Sequence, residues 1–310
     1  MRGSIKVTKV VGAGEDGRSL RALLKAWTGL SAAAVNHWLD AGGIEVQGRI
    51  ERFGSVRLRA GNTVHFRSAP AAAATSAPPN LGEEDVLFRN EMCLVYNKPP
   101  GYPCQRTLDE GRWNLEDALN EWLEKRGAGT PRLHLVHRLD RDTSGALLFA
   151  RGQENARTLE SWFHERRVAK TYLALCHGAA RPEEGRWTQR IGKTEVMGGV
   201  RRYGIVVRGG LNAITDYRVL ASKQGFSFWR LKPLTGRTHQ LRVQLAAAGH
   251  PIAGDSLYDP DQRRREPLDH HLLHALLLAL PPESGAPGEI RAPLPPLFAA
   301  LLRRLGLQEP

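Results

Sequence analysis

The apolar positions of this chain fall into two sets, separated by a stretch of Pro, Ala and Ser at residues 68–81. In the first set, Leu20, Leu23, Leu24 and Trp27 follow the i, i+3, i+4, i+7 spacing of one helix face. Ser31 is placed to cap a second helix carrying Val35, Trp38 and Leu39, which Gly42-Gly43 ends. Ile44/Val46, Val56/Leu58 and Val64/Phe66 then alternate as short strands. In the second set, strands are predicted at Val86–Phe88, Cys93–Tyr96, Thr171–Leu175, Ala213–Leu220, Phe226–Leu231 and Ile252–Ala253. Helices are predicted around Leu115–Leu123 and Ala156–Phe163, and over Thr238–Ala248 and Pro295–Leu305. The apolar run Leu272–Leu280 reads as core, not as a face for a partner helix. This mixture lacks regular βαβ alternation and predicts an α+β fold. The Pro-rich stretch has no periodicity and reads as a stiff linker. The organisation expected is therefore a small module at 1–67, a linker at 68–81 and a large domain at 82–310.

Charge adds a partner class. The 310 residues hold 44 Lys and Arg against 32 Asp and Glu, a formal charge of +12, which points to a polyanion. Residues 1–67 carry eleven basic and five acidic residues, so half the surplus, +6, lies in about a fifth of the length. Arg18, Arg21 and Lys25 are the basic residues on or beside its first helix. The three cysteines, Cys93, Cys104 and Cys176, have no paired spacing, which predicts neither a disulfide framework nor a zinc knuckle and fits a reducing cytoplasm. No apolar run reaches the ~20 residues of a membrane span, and no apolar signal core opens the chain, so neither membrane nor secretion is expected.

Gly12-Ala13-Gly14-Glu15-Asp16-Gly17 is a literal G-x-G-x-x-G between a strand-like run and a helix. A dinucleotide site would put Glu15 and Asp16 against a pyrophosphate, and the parallel αβ repeat it needs does not follow. A simple turn is the expected reading, and a nucleotide-dependent oxidoreductase is not.

The densest chemistry lies at His137-Arg138-Leu139-Asp140-Arg141-Asp142-Thr143-Ser144-Gly145. Leu133, Leu135 and Val136 before it and Ala146–Ala150 after it read as two buried strands. Thr-Ser-Gly lets the chain turn between them, so the charged residues are held at the mouth of a sheet. Four charges in five residues are costly to bury unpaired, so either they form a solvated loop or they make a site.

His137-Arg-Leu-Asp140-x-x-Thr-Ser-Gly145 resembles the signature of the RluA/RluD-type pseudouridine synthases. Four further stretches match the same family in the same order: Asn97-Lys98-Pro99-x-Gly101, Lys170-Thr-Tyr172, Thr235-Gly-Arg237-Thr-His239-Gln-Leu-Arg242 with Gly249–Tyr258, and Leu273-His274-Ala275. Together they cover about residues 85–305, and five motifs in order are specific where one would be suggestive. The resemblance implies a mixed, largely antiparallel central sheet crossed by an active-site cleft. It also implies isomerisation of uridine to pseudouridine in structured RNA, ribosomal or transfer, by a monomer. The basic N-terminal module is similar to the αL RNA-binding fold, although Ala32-Ala33-Ala34 stand where that fold usually carries Arg.

Pseudouridine formation breaks the N1–C1′ bond and rejoins uracil to the same ribose through C5. Nothing is added or lost, so no cofactor is expected. A carboxylate suits the reaction, as nucleophile on C1′ or as base toward the sugar. The resemblance gives that role to Asp140, with Arg237 as its ion-pair partner and Tyr172 stacking on the target base. It places Arg138 and Lys170 against RNA, and His137, Arg18, Arg21 and Lys25 are assigned there too. A second carboxylate, Asp142, admits a glycosidase-like pair, but it falls at a variable position of the family. His134/His137 and His270/His271/His274 lack the partners of a metal site, and no metal is expected. His239 and His274 read as structural hydrogen-bonders. The rival class is an RNA-binding protein whose synthase domain does not turn over.

Overall fold

The computed structural model describes residues 7–310 except for 30–34, 36–37, 40–42, 52, 67–79, 107–112, 128, 130, 182, 196–200, 260, 262–264 and 266–267. It divides into two compact units: an N-terminal one, and a larger one comprising Ala77–Leu108, Arg112–Gly192 and Tyr203–Pro310. Residues 68–79 of the linker read at 68–81 and most of the helix read after Ser31 lie outside the described residues.

In the N-terminal unit, β1 (Val7–Val10), β2 (Ile44–Val46), β3 (Arg49–Ile50) and β4 (Thr63–Phe66) form an antiparallel sheet in the order β1-β4-β2-β3. Helix α1 (Leu20–Thr28) starts at Ser19, whose Oγ accepts from the Ala22 N–H, and stops at Gly29 in the left-handed conformation. Its Leu20, Leu23 and Leu24 are buried with Val35, Leu39, Ile44, Leu58, Val64 and Phe66. Arg18, Arg21 and Lys25 stay exposed. The glycine-rich motif is the simple turn expected. Glu15 Oε2 accepts from the Gly12 N–H at 3.0 Å, and Glu15 Oε1 accepts from Trp27 Nε1 at 2.6 Å. The acidic side chain thus occupies the amide that a phosphate would need.

The remaining strands are β5 (Val86–Arg89), β6 (Cys93–Lys98), β7 (Leu133–Leu135), β8 (Ser144–Arg151), β9 (Ala169–His177), β10 (Glu184–Glu195), β11 (Arg201–Ile205), β12 (Leu211–Lys223), β13 (Phe226–Pro233), β14 (Leu273–Ala279) and β15 (Ile290–Arg291). Among the described residues they make one sheet in the order β11-β10-β12-β13-β9-β14-β8-β6-β5, with β7 added to β8 and β15 to β14. Of the strand pairs described, only β8 with β14 is parallel, so the mixed, largely antiparallel sheet and the α+β class hold. Helices α2 (Leu115–Glu124), α3 (Gln153–His164), α4 (Gln240–Ala247) and α5 (Pro296–Arg304) complete the unit.

Both faces of the sheet centre are buried, which explains its continuous apolar runs. Alternation sorts them. Cys93, Val95, Ala146, Leu148 and Ala150 pack with Ala156, Leu159 and Trp162 of α3. Leu94, Tyr96, Leu147 and Phe149 pack with Leu115 and Leu119 of α2, Leu241 and Leu245 of α4, and Phe298 of α5. Leu272–Leu280 is core as expected, and its centre is the strand β14.

The parallel pair is short: only His274–Ser144 and Ala275–Gly145 are in register. Gly145 has φ +111°, and a Cβ there would lie 2.2 Å from the Ala275 carbonyl oxygen. Only glycine lets β8 start this close to β14. The loop between β7 and β8, which carries Asp140, is anchored here.

Candidate active site

Four buried residues fix the Asp140 loop from beneath. Lys98 is fully buried at the end of β6, and its ammonium donates to the carbonyls of Pro99 (2.9 Å), Arg141 (2.7 Å) and Thr143 (2.9 Å). Burial lowers its pKa to about 8, opposed by the neighbouring Cys104, Asp142 and Asp140. Cys104 brackets Leu139: Sγ donates to its carbonyl at 3.1 Å and accepts from its N–H at 3.3 Å. The hydroxyls of Thr143 and Ser144 bond His271 Nε2 (2.8 Å) and His274 Nδ1 (2.9 Å). His274 Nε2 faces the Ala292 carbonyl at 3.2 Å, which can only accept, so Nδ1 takes the Ser144 proton. His274 is thus the structural hydrogen-bonder expected.

His137 is corrected. The sequence places it against RNA, whereas in the structure its Nε2 accepts from the Leu148 N–H at 3.0 Å and its ring stacks on Phe163 at 4.7 Å. An accepting imidazole is neutral, and burial lowers its pKa to about 3. His137 ties the loop to β8. Burial holds His271 and His274 neutral as well, with pKa values of about 4.

These three rings set an acid limit. Unfolded, they titrate near 6.5, so between about pH 6.5 and about 4 the unfolded chain binds protons that the folded chain does not. Their contribution to stability is complete above that window and is lost as pH falls through it. Urea midpoints should therefore drop steadily from neutral pH to about pH 4.5. A flat profile would show that the rings are not held neutral.

Asp140 emerges from this scaffold with its side chain one-fifth exposed. Arg242 Nη1 donates to its Oδ2 at 3.0 Å. The same guanidinium grips the fully buried Asp255 through two bonds, Nε to Oδ2 at 2.7 Å and Nη2 to Oδ1 at 2.9 Å. Asp255 also accepts from the N–H groups of Leu257 (3.0 Å) and Tyr258 (3.1 Å). Burial pushes the Asp255 carboxyl up, but the Arg242 bonds and charge hold it below its ordinary value. Burial likewise works against the Arg242 charge, and Asp255 and Asp140 overcome it and raise its pKa. The Arg242 fork therefore has two ends, a rigid one on Asp255 and a second one aimed at Asp140.

This overturns Arg237 as the partner of Asp140. Helix α4 begins at Gln240, so Arg242 lies in its first turn and faces inward, while Arg237 lies in the loop before it. Arg237 Nε donates to the Asn212 carbonyl at 2.9 Å instead. The helix itself is pinned to β12: Gln240 bonds the Ile214 carbonyl and Thr215 Oγ1, and Gln244 bonds Thr215 Oγ1 and the Ala213 carbonyl. The signal that could have found Arg242 is its setting. Gln240–Leu245 is buried all round, and an arginine there must be paired inside.

Tyr172, on β9 between Leu231 and Ala275, is buried in the same core. Burial, and then the Asp140 charge, push its pKa up, so the phenol stays protonated. Its hydroxyl has no hydrogen-bond partner among the described residues. Arg138 is exposed beside Asp140. Lys170 is half-buried, with its ammonium 5.6 Å from the Phe163 ring centre. Asp142 is bound by Arg141 through Nε (2.9 Å) and Nη2 (3.0 Å); burial pushes its carboxyl up, but that partner holds it low.

A carboxylate backed by a buried cation, an unpaired phenol nearby and an exposed arginine at the rim make a site for a base and its ribose. The comparisons agree. The model of the RNA pseudouridylate synthase family matches residues 92–247. An RNA pseudouridine synthase of Bacillus subtilis is 32% identical over 263 residues, 84% of each chain. The ribosomal large subunit pseudouridine synthase D of Nitrosomonas europaea is 33% identical over 261 residues, 81% of this chain and 71% of that one. The solved structure of human RNA pseudouridylate synthase domain containing 4 superposes with a TM-score of 0.60 at 27% identity, covering 73% of this chain and 95% of that one. The chain belongs to the RNA pseudouridine synthase family. Its activity is the isomerisation of uridine in RNA to pseudouridine.

Proposed function

We propose that Asp140 is the carboxylate that opens the N1–C1′ bond, as nucleophile on C1′ or as base toward the sugar. The observation that carries this reading is the asymmetry of the carboxylate. Its Oδ2 is engaged by Arg242, whereas its Oδ1 has no hydrogen-bond partner among the described residues. The ion pair occupies one oxygen and leaves the other for the substrate. The target base leaves its stack to reach Asp140 and lies against the Tyr172 ring, with Arg138 holding the opened RNA. N1–C1′ breaks, C5–C1′ forms and the C5 proton ends on N1, so atoms balance without a co-reactant. Asp140, Arg242, Asp255 and Tyr172 all come from one chain, which supports action as a monomer. The free, buried cysteines suit the reducing cytoplasm.

The substrate proposed is large-subunit ribosomal RNA. The +12 charge fits a large structured RNA, and the Nitrosomonas relative is named for that subunit. Pseudouridine mapping in a strain lacking this protein should show sites lost from large-subunit RNA. Losses confined to transfer RNA would overturn that choice.

Arg18, Arg21 and Lys25 are proposed to contact RNA phosphates, because all three are exposed, Arg21 and Lys25 on α1 and Arg18 just before it. Replacing them together by Gln should weaken RNA binding and flatten its log–log salt dependence by up to about 2, at about 0.7 per lost contact with single-stranded RNA. The single-turnover rate at saturating RNA should not change. An unchanged salt slope would remove these residues from the RNA interface.

A further inference from the structure

His239 is the strained residue of this site. Its φ of 55° and ψ of 22° are left-handed, a conformation unfavourable for any residue with a Cβ. Gln47 and Gln224 share it in tight hairpin turns and Arg166 just past α3, where such backbone is routine. His239 instead sits immediately before α4, where a capping residue is normally extended and its side chain bonds the first turn. It makes no such bond.

The ring is engaged elsewhere. Nδ1 lies 2.8 Å from the Tyr258 hydroxyl, and Nε2 lies 4.0 Å from Asp140 Oδ2. The Tyr203 and Tyr258 rings meet it edge-on at 5.7 and 5.6 Å. The Tyr258 oxygen already accepts from the Tyr203 N–H at 3.2 Å, so its own proton is free to go to His239 Nδ1. With Nδ1 accepting, the proton of the neutral ring is on Nε2, the atom that faces Asp140. Tyr258 also lies beneath the Arg242 guanidinium at 5.1 Å, so one phenol contacts both groups that approach Oδ2.

We infer that His239 is a positioning residue for Asp140. Tyr258 fixes its tautomer, and the resulting Nε2–H joins Arg242 on Oδ2 so that Oδ1 is turned to the ribose. The 4.0 Å separation is longer than a hydrogen bond and is expected to shorten in the complex with RNA. The inference rests on Asp140 being the reacting carboxylate. The left-handed backbone accompanies this placement of the ring between Tyr258 and Asp140.

The test compares His239→Gly, His239→Asn, Tyr258→Phe, the double variant His239→Gly/Tyr258→Phe and Asp140→Asn. Single-turnover rate at saturating RNA, RNA affinity and thermal midpoint are measured for each. Glycine accepts the left-handed backbone, so His239→Gly removes the ring without adding strain. Its rate should fall about 10–100-fold, the usual cost of losing a group that orients a reactive one, with affinity within about threefold of the parent. Added imidazole should restore part of that rate. Tyr258→Phe should lose less, and the double variant should be no slower than His239→Gly, because the two act as a unit. His239→Asn keeps an N–H and tolerates the backbone, so it should fall between the parent and His239→Gly. A His239→Gly rate within twofold of the parent would overturn the inference. So would a loss that imidazole leaves untouched and that adds fully to the loss in Tyr258→Phe. An active Asp140→Asn would instead overturn the assignment of Asp140, whereas an inactive Asp140→Asn beside a fully active His239→Gly would overturn only the role of His239.

Discussion

Asp140→Asn is expected to abolish turnover, lowering the single-turnover rate by roughly 10⁴-fold or more, while RNA affinity should stay near that of the parent. The side chain keeps its size, and an amide oxygen can still accept from Arg242 Nη1 where Oδ2 now does. Arg242 remains charged and doubly bonded to Asp255, so the scaffold beneath the loop is undisturbed. What is lost is the negative charge and the free oxygen, without which neither attack on C1′ nor proton abstraction is possible. Asp142→Asn is the matched control. Its carboxylate is taken up by Arg141, and the variant should keep most of the activity. Single-turnover assays with the same RNA decide the matter. Activity of Asp140→Asn within tenfold of the parent would mean that another residue does the chemistry.

The parts of this structure that can be read without coordinates are those whose own residues carry the signal. The apolar runs around Asp140 become β7 and β8 because both faces of the sheet centre are buried, so hydrophobicity alone marks them. Strand β10, between β11 and β12, escapes the same reading. Its Arg186, Thr188 and Arg190 are exposed, and its place is set by pairing with Asp216, Ile214 and Asn212 of β12, which no local pattern announces. Lys98 escapes for a related reason. A lysine between a strand and a Pro-Pro turn looks like surface, and only the convergence of carbonyls from residues 99, 141 and 143 makes it core. In the site, the motifs locate Asp140 and Tyr172 but leave two arginines five residues apart. Which of them reaches Asp140 depends on where α4 begins, and that is decided by Gln240 and Gln244 bonding β12. The backbone of His239 is set by tertiary contacts and has no signal in its neighbours.

Arg242→Ala should be the most damaging change to both rate and stability, because this guanidinium belongs to two carboxylates. Its removal leaves Asp255 fully buried with, among the described residues, two backbone N–H groups as donors, and Asp140 without its Arg242 cation. Breaking a buried pair on one side costs about 3–5 kcal/mol, enough to unfold a marginal domain. Arg242→Lys separates the two roles. A lysine has one ammonium in place of the fork, so it can neutralise Asp255 or reach Asp140, but it cannot hold both in the present geometry. That variant should recover more stability than rate. Arg237→Ala supplies the contrast, since among the described residues its guanidinium bonds the Asn212 carbonyl; its stability should lie within about 1 kcal/mol of the parent. Urea midpoints and single-turnover rates on the three variants separate the alternatives. A stable, active Arg242→Ala, with the loss appearing in Arg237→Ala instead, would return the ion-pair role to Arg237.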